Sequence, residues 1–546
     1  MIVIRLVAFA CALVAGLFLT ALVRKLATRF GLLDHPDSRR KLHAQPVALG
    51  GGLAVFLTLC STLLLLVLVP TPLRAALLQD GRSLSGLLLA GAIVVLVGLI
   101  DDRVKLRGHQ KLIGQTLAAS VLIGSGLMIE RFEIFGVPIH LGLLSVPITL
   151  FWLLGATNAI NLIDGIDGLA TTIGIILAIT VAGMAAMTGQ ASVGIVAIVL
   201  AGSLTAFLFF NFPPAKMFLG DAGSLLIGMT FGALAIQGAF KGAGTVLLAA
   251  LLATWALPLF DSTVAILRRK LTGRSIYSTD YGHIHHRLLD ALGNNRRALA
   301  VIGLASAITS AAALGSVAMH NDLVALLTCI GVVAVFIASG VFGKAEFMLL
   351  MNRLRSAGRS IMHLAAGRRG VVQVSEVHLQ GSRPWNQLWT ALTEHAERLH
   401  LTSIILDLNL PRIHEGYTAN WDRSFDGDKE RLWRTEMPIV VAGQAVGRLT
   451  VMGQRTGESA LADIGVLIEL LEPFIGVLTD LLEPLESQLQ SMTNAEPVSA
   501  SAGNGGSIRR QVAHSETSSI VEDLVEVAAD GSPDDDFQGS RVNHPR

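Results

Sequence analysis

Charge is scarce in this sequence. Asp, Glu, Lys and Arg make up 15% of the residues, and hydrophobic residues make up 52%. An ordinary soluble domain is about 25% charged. The balance excludes a soluble globular enzyme and a disordered chain. Cysteine is almost lacking: Cys11, Cys60 and Cys329 all lie within apolar runs. That excludes a disulfide-stapled secreted module and leaves them as small lipid- or core-facing residues. A surplus of either charge sign is lacking too, with 42 Lys and Arg against 41 Asp and Glu. There is no basic footprint for nucleic acid, and none is expected as a partner.

What the sequence has instead is long apolar runs. A helix that crosses a bilayer needs about 20 apolar residues at 1.5 Å each. Eleven runs qualify, at 2–23, 49–69, 84–100, 112–130, 143–160, 168–188, 191–211, 223–240, 243–267, 298–319 and 322–342. The pattern predicts a polytopic α-helical membrane domain of about 11 transmembrane helices. The first run is followed by its basic cluster, Arg24, Lys25 and Arg29, and reads as an uncleaved anchor with its N-terminus outside. The loops Arg24–Lys41, Arg103–Lys111, Lys216 and Arg268–Arg297 then fall on one side and hold 18 Lys and Arg. The opposite set holds Arg74, Arg82, Arg131 and Lys241. The positive-inside rule puts the rich set in the cytoplasm.

The unusual polar clusters all fall on that cytoplasmic side. His35 to His43, with Lys41 between basic neighbours, precedes Gly50-Gly51-Gly52; by itself it also reads as a solvated basic hinge. Asp101-Asp102 ends an apolar helix where a stop signal would ordinarily be Lys or Arg. Paired carboxylates suit Mg²⁺, which takes one or two of them plus substrate phosphates. In Asn158-Ala-Ile-Asn161-Leu-Ile-Asp164-Gly-Ile-Asp167-Gly168, polar groups recur every three residues. On a helix they would share a face, and Gly165 and Gly168 allow close approach. Asp221 opens the eighth run, as an N-cap or at a helix N-terminus suited to anions. His283, His285, His286 and Arg287 fit phosphate oxygens better than zinc, which would need further ligands. Asp261, inside the ninth run, is an intramembrane acid that points to the same cleft. The inventory fits Mg²⁺-dependent phosphoryl transfer at the membrane face.

In combination, RRKLHAQPVALGGG, GLIDDR, NAINLIDGIDGLA, NFPPAKMFLGDAGSLLIG and HIHHRLL resemble the polyprenyl-phosphate N-acetylhexosamine-1-phosphate transferase family over about residues 1–340. The resemblance implies attack by a polyprenyl phosphate on the β-phosphorus of a UDP-N-acetylhexosamine, with UMP leaving. It implies undecaprenyl phosphate and the UDP-sugar as substrates, the bacterial inner membrane as location, and Mg²⁺, with Mn²⁺ able to substitute. Catalytic roles fall on Asp101, Asp102, Asp164 and Asp167, with Asp101 as base or metal holder. Asp221, Asp102 and Asp101 are the metal set. Asn158, Asn161, His283, His285, His286, Arg287, Lys41 and His43 are the substrate-binding set. Direct attack and a covalent aspartyl intermediate both remain open. The His-x-His-His-Arg form resembles the GlcNAc-1-phosphate branch, with phospho-MurNAc-pentapeptide transfer as the alternative. In another class, a transporter or a membrane sensor is the rival. A transporter would place polar groups near the midplane, often with internal repeats, and a sensor would not need these motifs.

Beyond 343 the composition changes. Lys344–Arg369 is basic with apolar spacing, an interfacial helix or a linker. Residues 371–486 predict a small cytoplasmic α/β domain, with strands near 370–378 and 402–410, a helix over 385–400, two strands within 438–451 and a closing helix over 461–482. It carries no catalytic motif, so regulation or docking of a protein or small-molecule partner suits it better. Residues 487–546 predict a disordered tail. A homodimer is compatible with the sequence.

Overall fold

The structure is a computed structural model. It describes residues 2–34, 46–134, 137–240, 255–271, 282–319, 321–348, 350–351, 372–380, 383–394, 401–410, 415–423, 432–441 and 444–454, with isolated positions to 481. The chain divides into two units, Met1–Ala495 and Glu496–Arg546. The second unit, the loop 35–45 with Lys41 and His43, most of the basic segment after 351, and most of the closing-helix stretch lie outside the described residues.

Among the described residues the apolar runs are mainly helical. Seven of these described helices are long and apolar enough to cross a membrane. They are α1 (Ile2–Arg29), α2 (Gly51–Leu68), α4 (Gly81–Val104), α6 (Ser145–Ile163), α7 (Leu169–Met187), α8 (Ala191–Asn211) and α12 (Asn295–Met319). Four more lie along the remaining runs: α5 (Gly108–Gly124), α9 (Gly220–Phe240), α10 (Ala256–Leu271) and α13 (Asp322–Ala338). Each departs from a plain span for a visible reason. α5 and α13 have 17 residues each, α10 has 16 described residues and ends in Arg268-Arg269-Lys270, and α9 carries Asp221 in its first turn. Two short helices complete the set, α3 (Pro72–Gln79) and α11 (Ile284–Leu292).

α8 and α9 form the centre. α1 and α7 pack on α8, α4 and α6 pack on α9, and α12 packs on α7 and α13. Phe207, Leu200 and Leu204 of α8 and Phe231 and Leu234 of α9 are fully buried. The lipid-facing side of α1 exposes Val3, Leu6, Val14 and Phe18 instead. A two-residue ladder, β1 (Leu33–Asp34) with β2 (Val47–Ala48), closes the base of the first loop. Ala48 continues onto the chain before α9, where Phe218 N donates to its carbonyl at 2.9 Å. A hairpin of β3 (Arg131–Ile134) and β4 (Val137–His140) joins α5 to α6.

The C-terminal region is a five-stranded antiparallel sheet in the order β5-β7-β6-β9-β8. The strands are β5 (Val372–Gln380), β6 (Leu401–Leu410), β7 (Glu415–Arg423), β8 (Leu432–Val441) and β9 (Gln444–Gln454). α14 (Trp385–Thr393) buries Trp385, Leu388, Trp389 and Leu392 in a common core with Ile404, Leu406, Tyr417 and Val451. β7 is absent from the sequence expectation; its polar residues obscure the alternation of Tyr417, Ala419 and Trp421, which are buried in that core. Its stability comes from ladders on both sides, to β5 and β6.

Candidate active site

Three helix ends bring the carboxylates together. α4 ends at Asp101 and Asp102. Asp101 Oδ1 accepts from the Leu106 amide at 2.6 Å, closing the turn where Lys105 takes a left-handed φ of 59°. Asp102 Oδ1 accepts from the Asp221 amide at 2.9 Å. The last turn of α4 thus supplies the acceptor for the first turn of α9, where a carboxylate also meets the favourable end of the helix dipole. This needs contact between backbones. A Cβ on Gly98 would lie 2.3 Å from the Ala222 backbone, so only glycine fits.

Lys111, in the first turn of α5, reaches into this group. Its ammonium lies 3.4 Å from Asp101 Oδ2 and 3.0 Å from Asn161 Oδ1, and it pairs with Asp221. Asn161 Nδ2 donates to Asp221 Oδ1 at 2.7 Å and to Ser224 Oγ at 2.9 Å. Asn158, one turn earlier on α6, faces Gln115 of α5 and donates to its Oε1 at 2.7 Å.

The spacing of three does not continue as one helix face. α6 stops at Ile163, and Asp164 is its C-cap with ψ 60°. Gly168, with φ 76°, starts α7. Asp164 and Asp167 therefore lie in the turn between two helices and do not share a helix face. Asp167 Oδ2 accepts from the Ala215 amide at 2.9 Å and pins the chain ahead of α9. No hydrogen bond from a described residue reaches Asp164. Desolvation, then the charges of Asp221, Asp102 and Asp167, raises its pKa well above the usual carboxylate value.

The histidines form the other wall. Asp261 is fully buried; its Oδ2 lies 2.9 Å from His283 Nδ1 and its Oδ1 accepts from the Ile284 amide at 2.8 Å. It therefore orients His283 and caps α11 at once. The rings of His283 and His285 stack, with centroids 5.8 Å apart. His286 lies against His285 at 4.3 Å. Burial, then the neighbouring His286 and His283, holds the His285 pKa well below the usual imidazole value. A Cβ on Gly165 would stand 1.9 Å from His285 Nε2. That contact joins the two walls and sets His285 beside Asp164. Arg287 turns the other way and donates to the Leu379 carbonyl of β5.

Asp101, Asp102, Asn161, Asp164 and Asp221 are thus brought together, with His285 adjoining. Asn158 sits one layer back, Asp167 serves the loop before α9, and Arg287 meets the C-terminal sheet. Sequence reasoning missed Lys111 and Gln115. In the sequence Lys111 reads only as a charge at the start of an apolar run. Among the described residues no three His, Cys, Asp or Glu side chains close a metal cage. Asp102 Oδ2, however, is buried and takes no hydrogen bond. Hard carboxylate oxygens left open in this way fit an ion that draws its other ligands from substrate phosphates and water.

Residues 84–239 match the model of glycosyl transferase family 4. The chain is 33% identical over 313 residues to a probable undecaprenyl-phosphate N-acetylglucosaminyl 1-phosphate transferase of Bacillus subtilis (strain 168), covering 56% of this chain and 84% of that one. It is 32% identical over 348 residues to a decaprenyl-phosphate N-acetylglucosaminephosphotransferase of Mycolicibacterium smegmatis, covering 59% and 84%. A phospho-N-acetylmuramoyl-pentapeptide-transferase of Streptococcus equi subsp. equi is 36% identical over 195 residues, covering 33% and 58%. With the motifs assembled at one end of the helices and relatives matched over most of their length, the chain belongs to the polyprenyl-phosphate N-acetylhexosamine-1-phosphate transferase family.

Proposed function

We propose that this chain transfers N-acetylglucosamine 1-phosphate from UDP-GlcNAc to undecaprenyl phosphate, giving the lipid diphosphate sugar that starts a cell-envelope glycan such as lipopolysaccharide, teichoic acid or capsule. The observation that carries this is the junction at Gly165, where the carboxylate cluster meets the histidine helix. One wall suits a phosphate attacked or released, and the other suits the nucleotide diphosphate. The GlcNAc branch is favoured over the muramyl-pentapeptide branch because its relatives are covered over 84% of their length, against 58%.

A lipid phosphate oxygen attacks the β-phosphorus of UDP-GlcNAc, the β-phosphorus to bridging-oxygen bond breaks, and UMP leaves. Asp164, with raised proton affinity and no competing hydrogen bond among the described residues, suits the role of taking a proton from the lipid phosphate. Asp101 suits it less, since its two oxygens are engaged by Leu106 and Lys111. Asp102, through its open Oδ2, and Asp221 would hold Mg²⁺, or Mn²⁺ in its place. When bound, the ion neutralises charge on the diphosphate. Lys111 and Asn161 fix the Asp221 carboxylate, and His283, His285 and His286 line the nucleotide-sugar side. We further assign eleven spans in the bacterial inner membrane within 1–343, this site facing the cytoplasm, and a cytoplasmic domain over 371–486.

The test is UMP release by the purified full-length protein with undecaprenyl phosphate, Mg²⁺ and a panel of UDP-sugars, with Asp164→Asn as control. Lipid-dependent UMP from UDP-GlcNAc that stops in excess EDTA is expected. No lipid-dependent UMP from folded protein with any donor would overturn the assignment.

A further inference from the structure

Outside the carboxylate cluster, several contacts converge behind the histidines. The residues after α13 turn back onto α10, where Phe342 packs edge-on against Phe260 at 5.4 Å, next to Asp261. Glu346 then enters the interior and pairs with Arg268 of α10; the two are 1% and 3% exposed. Arg268 also donates to the Gly282 carbonyl at 2.8 Å, immediately before His283. Ala345 forms a buried apolar cluster with Val377 and Leu379 of β5. The Leu379 carbonyl is the one that Arg287 of α11 meets.

A buried ion pair is weak evidence for stability, since apolar residues of similar volume often do as well. What a guanidinium fork supplies is direction. One edge of Arg268 is fixed by Glu346 and another holds the chain as it enters α11. The fit is close: a Cβ on Gly282 would meet Arg268 Nη1 at 1.6 Å. His283 is therefore held on its ring by Asp261 and on its preceding backbone by Arg268. Glu346 lies beyond the last long helix, where the family motifs have ended.

We propose that Glu346 is a positioning residue for nucleotide-sugar binding. Through Arg268 and the Gly282 carbonyl it holds His283 and His285 in the orientation that receives the diphosphate, so the start of the C-terminal region is a working part of the site. This rests on the assignment of the histidine helix to the nucleotide sugar.

The test uses the full-length chain in detergent. Glu346→Gln keeps an oxygen acceptor and removes the charge. The KM for UDP-GlcNAc should rise roughly tenfold, the effect of weakening one charge-assisted hydrogen bond. kcat and the KM for undecaprenyl phosphate should stay within about twofold, since the lost interaction is confined to one substrate. Glu346→Asp should recover part of the loss. Amide exchange should quicken across 284–292 and stay unchanged in α7 and α8. An unchanged KM for UDP-GlcNAc, or equal rises for both substrates with exchange quickened throughout, would overturn the proposal and leave the pair purely structural. If Glu346→Gln does not fold, Glu346→Asp and Arg268→Lys carry the same measurements. If the wild-type chain releases no UMP, the transferase assignment fails separately. Exchange at 284–292 then decides the positioning: local quickening upholds it and no change overturns it.

Discussion

Replacing Lys111 by Met probes the carboxylate cluster most directly. The ammonium lies 3.4 Å from Asp101 Oδ2, pairs with Asp221, and donates to Asn161 Oδ1 at 3.0 Å. With an effective dielectric of about 20, one unit pair at 3.4 Å is worth about 5 kcal/mol before desolvation is subtracted. Lys111, Asp101 and Asp221 are 16%, 13% and 27% exposed, so solvent screens part of this. Removing one partner of a buried pair costs about 3–5 kcal/mol, and partial exposure puts this site toward the low end. Only the share that grows as charge develops on the transferring phosphate appears in the rate. Loss of a single preorganised donor in such a site typically lowers turnover by about 10²–10³-fold. Lys111→Met is therefore expected to lower kcat/KM for UMP release by about 10²-fold, and Lys111→Arg to recover little, because a planar fork cannot replace a point charge among three oxygens. The assay is steady-state UMP release in detergent with saturating lipid phosphate, beside a thermal unfolding check. A folded Lys111→Met protein with kcat/KM within about threefold of wild type would refute the reasoning.

Three other substitutions separate the walls of the site. Gly165→Ala places a methyl 1.9 Å from His285 Nε2 and should lower UMP release by about 10²-fold, the usual consequence of an ångström-scale displacement; near-normal release would show that His285 need not stay where it is. Asp167→Asn keeps an acceptor for the Ala215 amide and should hold activity within about tenfold, while Asp167→Ala should lose about 1 kcal/mol of stability; loss of turnover in the Asn variant would return Asp167 to the chemistry. His285 has a depressed pKa in the fold, so below the ordinary imidazole value of about 6.5 the unfolded chain binds the proton first. The stability contributed by the neutral ring is present above about pH 6.5 and declines as pH falls below it. Tm should drop on acidification, and less in His285→Gln; equal slopes would contradict this.

How much of this was legible follows from what each signal measures. Apolar runs report burial or lipid contact, and helices occupy all eleven of them at least in part. They do not report where a helix starts and stops, which is why α5, α10 and α13, at 17, 16 and 17 residues, fall short of a full span among the described residues. Residue type singled out Asp101, Asp102, Asp164 and Asp221, which the fold brings to one place, because a carboxylate at a helix end in an apolar frame is chemically out of place. Spacing misled at Asp167: a period of three implies a shared face only while the helix continues, and Gly165 and Gly168 end it. β7 was illegible although Tyr417, Ala419 and Trp421 alternate on its buried face, because Glu415, Thr418, Asn420, Asp422 and Arg423 between and around them mask the period of two.

Lys111 and Glu346 belong to a different class of omission. Neither lies in a cluster, and each became informative only through a partner distant in sequence: Asp221 is 110 positions from Lys111, and Arg268 is 78 from Glu346. A single charge beside an apolar run is compatible with an interfacial stop, and sequence alone offers no reason to prefer another explanation. The fold supplies that reason through backbone proximity. Gly98 lets α4 touch α9, which puts Asp102 on the Asp221 amide and leaves Asp221 facing the start of α5. With two carboxylates fixed by contacts that admit no side chain, like charge strains the pair, and the Lys111 ammonium relieves it at Asp221. The partner of Lys111 thus depends on the close approach that Gly98 permits, a dependence that follows from packing and is invisible in local sequence.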